Sequence, residues 1–338
     1  MNKLEELEAK LSEPSRSLVE EISKLEGNIL ILGVAGKIGP SLALIAKKAI
    51  SIAGIKKRVI GVSRFSDKIL KQKLENAGIE TIEVDLLDEV QLQSLPDTKN
   101  VLYLVGRKFG TTGQEYLTWA MNSYLPGRVA EKFRHSRIVS FSTGNIYPLI
   151  SLKSGSASEE TKPNPLGEYA QSCLGRERIV EYFSHKYNIP IVQFRLNYAI
   201  GLGYGVLYDV AIAVKERKPI DLQNGNVNVI WQGDVNEYAL RSFKLCSSPP
   251  FILNATGPEI ISIRWLAERF GELFGVSPIF INEEQDTVLL SNASLVHSLF
   301  GYPRVTLREM IKWTWEWIEY EGQSLDKPTH FQERSGRF

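Results

Sequence analysis

Cysteine, histidine and methionine are scarce in this chain, at two, four and three of 338 residues. The two cysteines, Cys173 and Cys246, have neither the paired spacing of a zinc site nor the density of a disulfide scaffold. His135, His185, His297 and His330 are scattered, so no metal centre is expected. An excess of charge is missing too: 40 basic residues oppose 39 acidic ones, and a formal net charge of +1 creates no broad field for nucleic acid or an anionic membrane. There is no apolar run of membrane-spanning length, and residues 1–10 are charged where a signal peptide would be apolar. A cytoplasmic location is therefore the expectation, with partners set by local sites. Internal repeats and low-complexity segments are also absent, which excludes a solenoid.

What is present is an ordinary globular composition, 43% hydrophobic and 23% charged. The length suits one large α/β unit, or a nucleotide domain carrying a smaller second domain. Residues 2–26 place Leu4, Leu7 and Leu11, then Leu18, Ile22 and Leu25, at helical spacing around a break at Ser12-Glu13-Pro14. A short apolar run at 28–32 leads through a glycine-rich turn into an amphipathic stretch at 38–50, reading as strand, turn, helix. Further strands are expected at 58–63, 81–84, 100–105, 137–142 and 191–196, with helical segments between them. That alternation predicts a doubly wound parallel sheet whose ligands bind beyond the carboxyl ends of the strands. After Gly201 the pattern loosens, with turn signals at 224–226 and 249–250 and helical runs at 263–274 and 306–320. Three parts result: a helical extension at 1–26, a dinucleotide-binding domain at 27–200, and a smaller mixed α/β substrate-binding part at 201–338, some of which returns to the sheet. The polar tail at 322–338 is expected to be partly disordered or packed on a neighbour.

The turn reads Gly33-Val34-Ala35-Gly36-Lys37-Ile38-Gly39. Glycines there permit a tight turn, close backbone approach to a pyrophosphate and helix-to-strand packing, with the amides around Lys37 and Ile38 facing the phosphates. A purely structural turn is the alternative. At the end of the second strand, where nucleotides without a 2′-phosphate usually meet an acidic residue, stand Ser63 and Arg64. Arg64 is suited to a 2′-phosphate and Lys37 adds charge, which favours NADP over NAD, unless each is a solvated surface cation. Asp85, followed by Leu86, either contacts adenine or caps a helix. Val105, Gly106, Arg107 and Lys108 lie just beyond the fourth strand, where a nicotinamide would pass.

Further motifs extend the pattern. Gly33, Gly36 and Gly39 meet a GxxGxxG spacing; 142–148 reads Ser-Thr-Gly-Asn-Ile-Tyr-Pro; 165–173 reads Pro-Leu-Gly-Glu-Tyr-Ala-Gln-Ser-Cys; and Phe194-Arg195-Leu196-Asn197-Tyr198 follows, with Asn122 upstream. Together, from about Gly27 to Ile318, they resemble the extended short-chain dehydrogenase/reductases, the NAD-dependent epimerase/dehydratase family. The resemblance implies a Rossmann-type fold, a nicotinamide cofactor, Thr143 on the reacting oxygen, Tyr169 as the proton-exchanging group, and homodimers through paired helices. Lys108, Asn145, Asn197 and Trp231 are then expected near the substrate.

Two departures stand out. In the family a lysine one helical turn beyond the tyrosine contacts the nicotinamide ribose and lowers the tyrosine's pKa; here that residue is Cys173. A neutral thiol supplies neither charge nor ammonium hydrogen bonds. An unassisted phenol ionises near pH ~10, a poor base but still a proton donor. Arg107 and Lys108 are the candidates for a substitute cation, with Arg176 a further one. A nucleophilic Cys173 is the sharper alternative, with no histidine nearby in sequence to activate it. The second departure is Val227, where sugar-nucleotide enzymes of the family often carry an arginine for the diphosphate. A small polar substrate such as a free sugar or sugar acid fits better, with Trp231 and Gln232 either lining its pocket or packing, and Asp234 capping a helix. The functional expectation is an NAD(P)-dependent oxidoreductase or epimerase. The alternative is a dinucleotide-binding sensor or scaffold with little turnover.

Overall fold

In the computed structural model, which describes residues 2–108, 110 and 112–337, the apolar runs pair into one sheet. Its strands are β1 (Ile29–Leu32), β2 (Val59–Ser63), β3 (Glu80–Glu83), β4 (Asn100–Tyr103), β5 (Arg137–Thr143), β6 (Ile191–Leu196) and β7 (Phe251–Ala255). They lie in the order β3-β2-β1-β4-β5-β6-β7 and are parallel throughout. This is the expected doubly wound sheet. Every residue of β1 and β4 is buried, because parallel strands are covered on both faces and have no solvent side to alternate toward. The strand order reverses between β1 and β4, which opens a crevice above their carboxyl ends.

The chain enters through α1 (Lys3–Ala9), started by a capping box of Asn2 and Glu5, and α2 (Arg16–Lys24), whose N-cap Ser15 hydroxyl accepts the Leu18 amide proton. Leu18 and Ile22 are buried in the core beside α3 (Gly39–Ile52), each worth about 1.5–3 kcal/mol of transfer. After α4 (Lys68–Asn76) and α5 (Glu89–Ser94) come α6 (Glu115–Trp119) and α7 (Leu125–Lys132), joined by a π-helical turn at Ala120–Tyr124, and then the long α8 (Gly167–Tyr187). Helices α5, α7 and α8 cover one face of the sheet through Leu92, Leu125, Val129 and Val180. Helix α3 covers the other with α10 (Gln232–Arg241) and α12 (Ser294–Phe300), which follow α9 (Val206–Lys215) and α11 (Ile263–Phe274) in the pattern of the chain. A second core gathers α9, α11 and α13 (Leu307–Glu319) with Leu7, Trp231 and Phe331. Among the described residues no helix is long and apolar enough to cross a membrane.

Strand β7, within the loosened stretch, extends the sheet beside β6. Two expectations change. Trp231 belongs to the second core: it is 1% exposed, its indole N–H donates to the Lys10 carbonyl at 3.2 Å, and it meets Trp313 edge-on. The tail packs on its own chain, with Phe331 buried and Arg334 donating to the Gln223 and Thr287 carbonyls.

Behind the carboxyl end of the sheet, Glu177 of α8 and Arg195 of β6 form a buried ion pair, 2% and 4% exposed, with Nη2 and Oε2 2.7 Å apart. The Ser142 hydroxyl donates to the same carboxylate at 2.6 Å, and Arg195 Nη1 donates to the Tyr147 hydroxyl at 2.7 Å. Tyr147 in turn donates to Asn254 of β7 at 2.8 Å. Such a pair is tolerable only because its remaining hydrogen-bond positions are satisfied. Arg195→Leu leaves Glu177 charged and unpaired, so a loss of about 3–5 kcal/mol in urea unfolding is expected. A loss below about 1 kcal/mol, the range of an exposed pair, would contradict the clamp.

Candidate active site

Each glycine of the loop has a separate reason. Gly33 has φ +85°, and a Cβ there would meet Val105 at 3.0 Å. A Cβ on Gly39 would lie 2.2 Å from the Val34 carbonyl oxygen, so only glycine lets α3 start against the loop. Gly36 has room on its outer side, where a Cβ would meet only the Gly33 carbonyl at 3.2 Å. Among the described residues the amides of Ala35, Ile38 and Gly39 donate to no protein acceptor. Unpaired amides at the start of a 14-residue helix suit an anion, and a dinucleotide's pyrophosphate fits this donor set.

The other cofactor candidates vary. Arg64 is exposed at the end of β2 beside half-buried Ser63. Asp85 neither caps a helix nor stands free: its carboxylate accepts the Leu87 amide proton at 3.0 Å, and the cap of α5 is Asp88. The Leu86 side chain is buried in the core, so only its backbone faces outward chemistry. At Gly106 a Cβ would come within 2.7 Å of Arg176 Nη2, which excludes a side chain.

Beyond β1, β5 and β6 a cavity of about 160 Å³ is lined by Lys37, Ile38, Lys108, Thr143, Asn145, Tyr169 and Asn197, together with Gln232 and Thr329. Thr143 ends β5, and Tyr169 stands in the first turn of α8; their side chains hydrogen-bond each other. The Asn145 amide donates back to the Thr143 hydroxyl at 3.2 Å, and Asn197 is tied to Asn228 at 2.9 Å. Burial first, then Cys173, pushes the Tyr169 phenol well above its ordinary range, against Arg176 and Thr143, which pull it down. Tyr169 is therefore a protonated phenol at neutral pH.

Cys173 does not reach this cavity. Its thiol is 1% exposed among Ile146, Tyr147 and Ala157, and burial pushes its pKa up. A neutral, enclosed sulfur is no nucleophile, which corrects that alternative. Arg107 is corrected as the substitute cation as well: its guanidinium donates to Gly110 and Gln114 on its own loop. Lys108 does enter the cavity. Its amine donates to the Thr329 carbonyl at 3.1 Å and lies 5.9 Å from the Tyr169 ring centre, with burial pushing its pKa down to about 8. Arg176, buried, donates to the carbonyls of Asn122 and Phe141 at 3.2 and 2.6 Å and to Asn122 Oδ1 at 3.1 Å. It shares a helix face with Tyr169 and Cys173, at spacings of seven and three.

Val227 is buried in the second core, and Asp234 accepts the Val305 amide proton at 3.1 Å instead of capping a helix as expected from sequence. Of the pair Trp231 and Gln232, only Gln232 lines the cavity, donating to Ser41 at 2.7 Å. Tyr198, from the motif at 194–198, also lines the cavity, and Tyr204 and Thr329 are lining residues that belong to no motif. Among the described residues no cluster of His, Cys, Asp and Glu could hold a metal ion.

Residues 29–232 match the NAD dependent epimerase/dehydratase family. The chain is 29% identical over 175 residues to an uncharacterized UDP-glucose epimerase, YtcB, of Bacillus subtilis (strain 168), a match covering 49% of this chain and 55% of the relative's own length. Its fold is similar to that of the epimerase Mth375 from Methanothermobacter thermautotrophicus, with a TM-score of 0.74 and 20% identity, over 90% of this chain and 96% of that one. A Bacillus cereus UDP-glucuronic acid 4-epimerase in complex with NAD gives a TM-score of 0.70 at 19% identity, over 88% and 100% of the two chains. A UDP-glucose 4-epimerase with UDP-glucose from Thermotoga maritima gives 0.72 at 19% identity, over 87% and 99%.

The two amines set a pH dependence. Burial foremost, then Lys108 and Lys327, push Lys37 down to about 7, while Asp209 opposes them. Both amines are charged at pH 6, and Lys37 loses its proton before Lys108 as pH rises. Affinity for NADH, whose pyrophosphate does not titrate in this range, should fall between pH 6 and 9 in a fluorescence titration, and Lys37→Gln should remove the step near neutrality. A flat profile would contradict an anion site at these amines.

Proposed function

The chain belongs to the NAD-dependent epimerase/dehydratase family, the extended short-chain dehydrogenase/reductases, and from this we propose an NAD(P)-dependent oxidoreductase or epimerase acting on a hydroxyl or carbonyl of a small polar substrate, such as a sugar or sugar acid. The observation that carries the reading is the hydrogen-bonded Thr143–Tyr169 pair in a cavity shared with Lys37 and Ile38 of the glycine loop.

The bound dinucleotide supplies hydride exchange. The amides of Ala35, Ile38 and Gly39 would hold its pyrophosphate, Ser63 and Arg64 its adenosine ribose, the backbone around Asp85 and Leu86 its adenine, and Val105 with Gly106 its passage toward Tyr169. With Arg64 and no carboxylate at the end of β2, a 2′-phosphate is favoured. Thr143 orients the substrate oxygen and Tyr169 donates the proton that a reduced carbonyl takes up. Running the step backward needs the phenolate, and the charges of Lys108 and Arg176 assist there. Val227, at the position where an arginine would meet a diphosphate, favours a single sugar over a nucleotide-linked one. The second reading, a sensor or scaffold with little turnover, rests on the neutral Cys173.

A screen against aldoses, ketoses and their acids, with UDP-glucose alongside, separates the readings when it follows both net oxidation of the reduced cofactor and, because an epimerase regenerates its cofactor in every cycle, formation of the epimeric product. Turnover with an unlinked sugar is expected, falling about 10²–10⁴-fold in Tyr169→Phe. Tight cofactor binding with no turnover anywhere favours the sensor, and a Tyr169→Phe variant of full activity overturns the mechanism. NADPH should bind more tightly than NADH and lose that advantage in Arg64→Ala; equal affinities overturn the preference.

A further inference from the structure

We propose that the C-terminal segment is a working part of the active site and that Thr329 within it is a positioning residue for Lys108; this rests on the reading in which Lys108 supplies charge beside Tyr169. Thr329 lies outside the family match at 29–232. It is 2% exposed between the exposed Pro328 and His330, and it lines the same cavity as Tyr169.

All of its polar groups are engaged. The amide and hydroxyl both donate to Asp209 Oδ2 of α9, at 2.7 and 2.6 Å, and the carbonyl accepts from Lys108 Nζ at 3.1 Å. Asp209 therefore fixes the threonine, and the threonine fixes the amine. The segment is anchored on both sides of this point. Leu325 donates its amide proton to Gly203 at 3.1 Å, Phe331 is buried in the second core, and Arg334 Nη1 donates to the Thr287 carbonyl at 2.6 Å.

The reason for such a device is the lysine's own freedom. An ammonium on a four-carbon stem loses rotamer freedom when held in one place. Lys108 stands on the loop after β4, outside any helix. The groups facing it are Tyr169 and Cys173 on α8, Lys37 on the glycine loop and Asp209 on α9. With Lys37 repelling it, an uncharged acceptor from the tail holds the amine in place without neutralising it.

A double-mutant cycle tests this with NADPH affinity, read by fluorescence, as the measure. Lys108→Met should weaken binding several-fold, and Thr329→Ala should weaken it less. In the Lys108→Met background Thr329→Ala should have no further effect, and Thr329→Ser should behave as the original protein. Asp209→Ala, which removes both anchors of the threonine, should show the same loss of effect in that background. Independent, multiplying effects of Thr329→Ala and Lys108→Met would overturn the proposal, as would an unchanged affinity in both Thr329→Ala and Asp209→Ala. If Lys108→Met itself leaves affinity and turnover unchanged, the parent reading of Lys108 fails; if only the tail variants are silent, the positioning role alone fails.

Discussion

Two adjacent residues on α8, Arg176 and Glu177, bury opposite charges between that helix and the sheet, and the position of the active site follows from how each is answered. Glu177 is answered by Arg195, Ser142 and, through Arg195, Tyr147, which ties α8 to β5, β6 and β7. Arg176 is answered by the Asn122 and Phe141 oxygens, none of them charged. Its positive charge is thus fixed but not neutralised, and it acts on the Tyr169–Cys173 pair one and two turns earlier. With α8 clamped in this way, Tyr169 is held against the end of β5, where Thr143 meets it. A lysine in place of Cys173 would stand one turn from Arg176, like charges at helical spacing in a buried site, which is unfavourable. The thiol and the arginine are in this sense compatible choices.

The cavity gathers further positive charge beside the half-buried carboxylate of Asp209. Lys37 and Lys108 share its wall, Lys37 sits 3.6 Å from the Tyr204 ring centre, and Lys327 adds to their repulsion, while Asp209 is occupied by Thr329. This arrangement stands at the crevice between β1 and β4, where the amides of the glycine loop also face outward. An anionic ligand relieves the repulsion among the lysines and satisfies the amides at once.

Much of this was legible in the sequence because it is local. The strands at 28–32 and 137–142 are short apolar runs with turn signals beside them, and the structure places β1 and β5 there within a residue or so. The glycine loop, Thr143 and Tyr169 are read from spacing alone. What escaped depended on which way a side chain faces or on distant contacts. Trp231 adjoins the true lining residue Gln232, and sequence does not say which of two neighbours turns inward. Arg107 looked as well placed as Lys108 because both follow β4, yet only the second reaches Tyr169. Thr329 was invisible, since its partners Asp209 and Lys108 lie 120 and 221 residues away.

The central claim is that the dinucleotide site persists with its cation moved from α8 to the loop after β4. A crystal structure of the full chain with NADPH bound tests it most directly. The account predicts pyrophosphate oxygens on the amides of the glycine loop and the nicotinamide ribose within hydrogen-bond distance of Lys108 Nζ, ~2.7–3.2 Å. A ribose seated against Cys173 with Lys108 turned away, or a dinucleotide bound outside the crevice between β1 and β4, would contradict it.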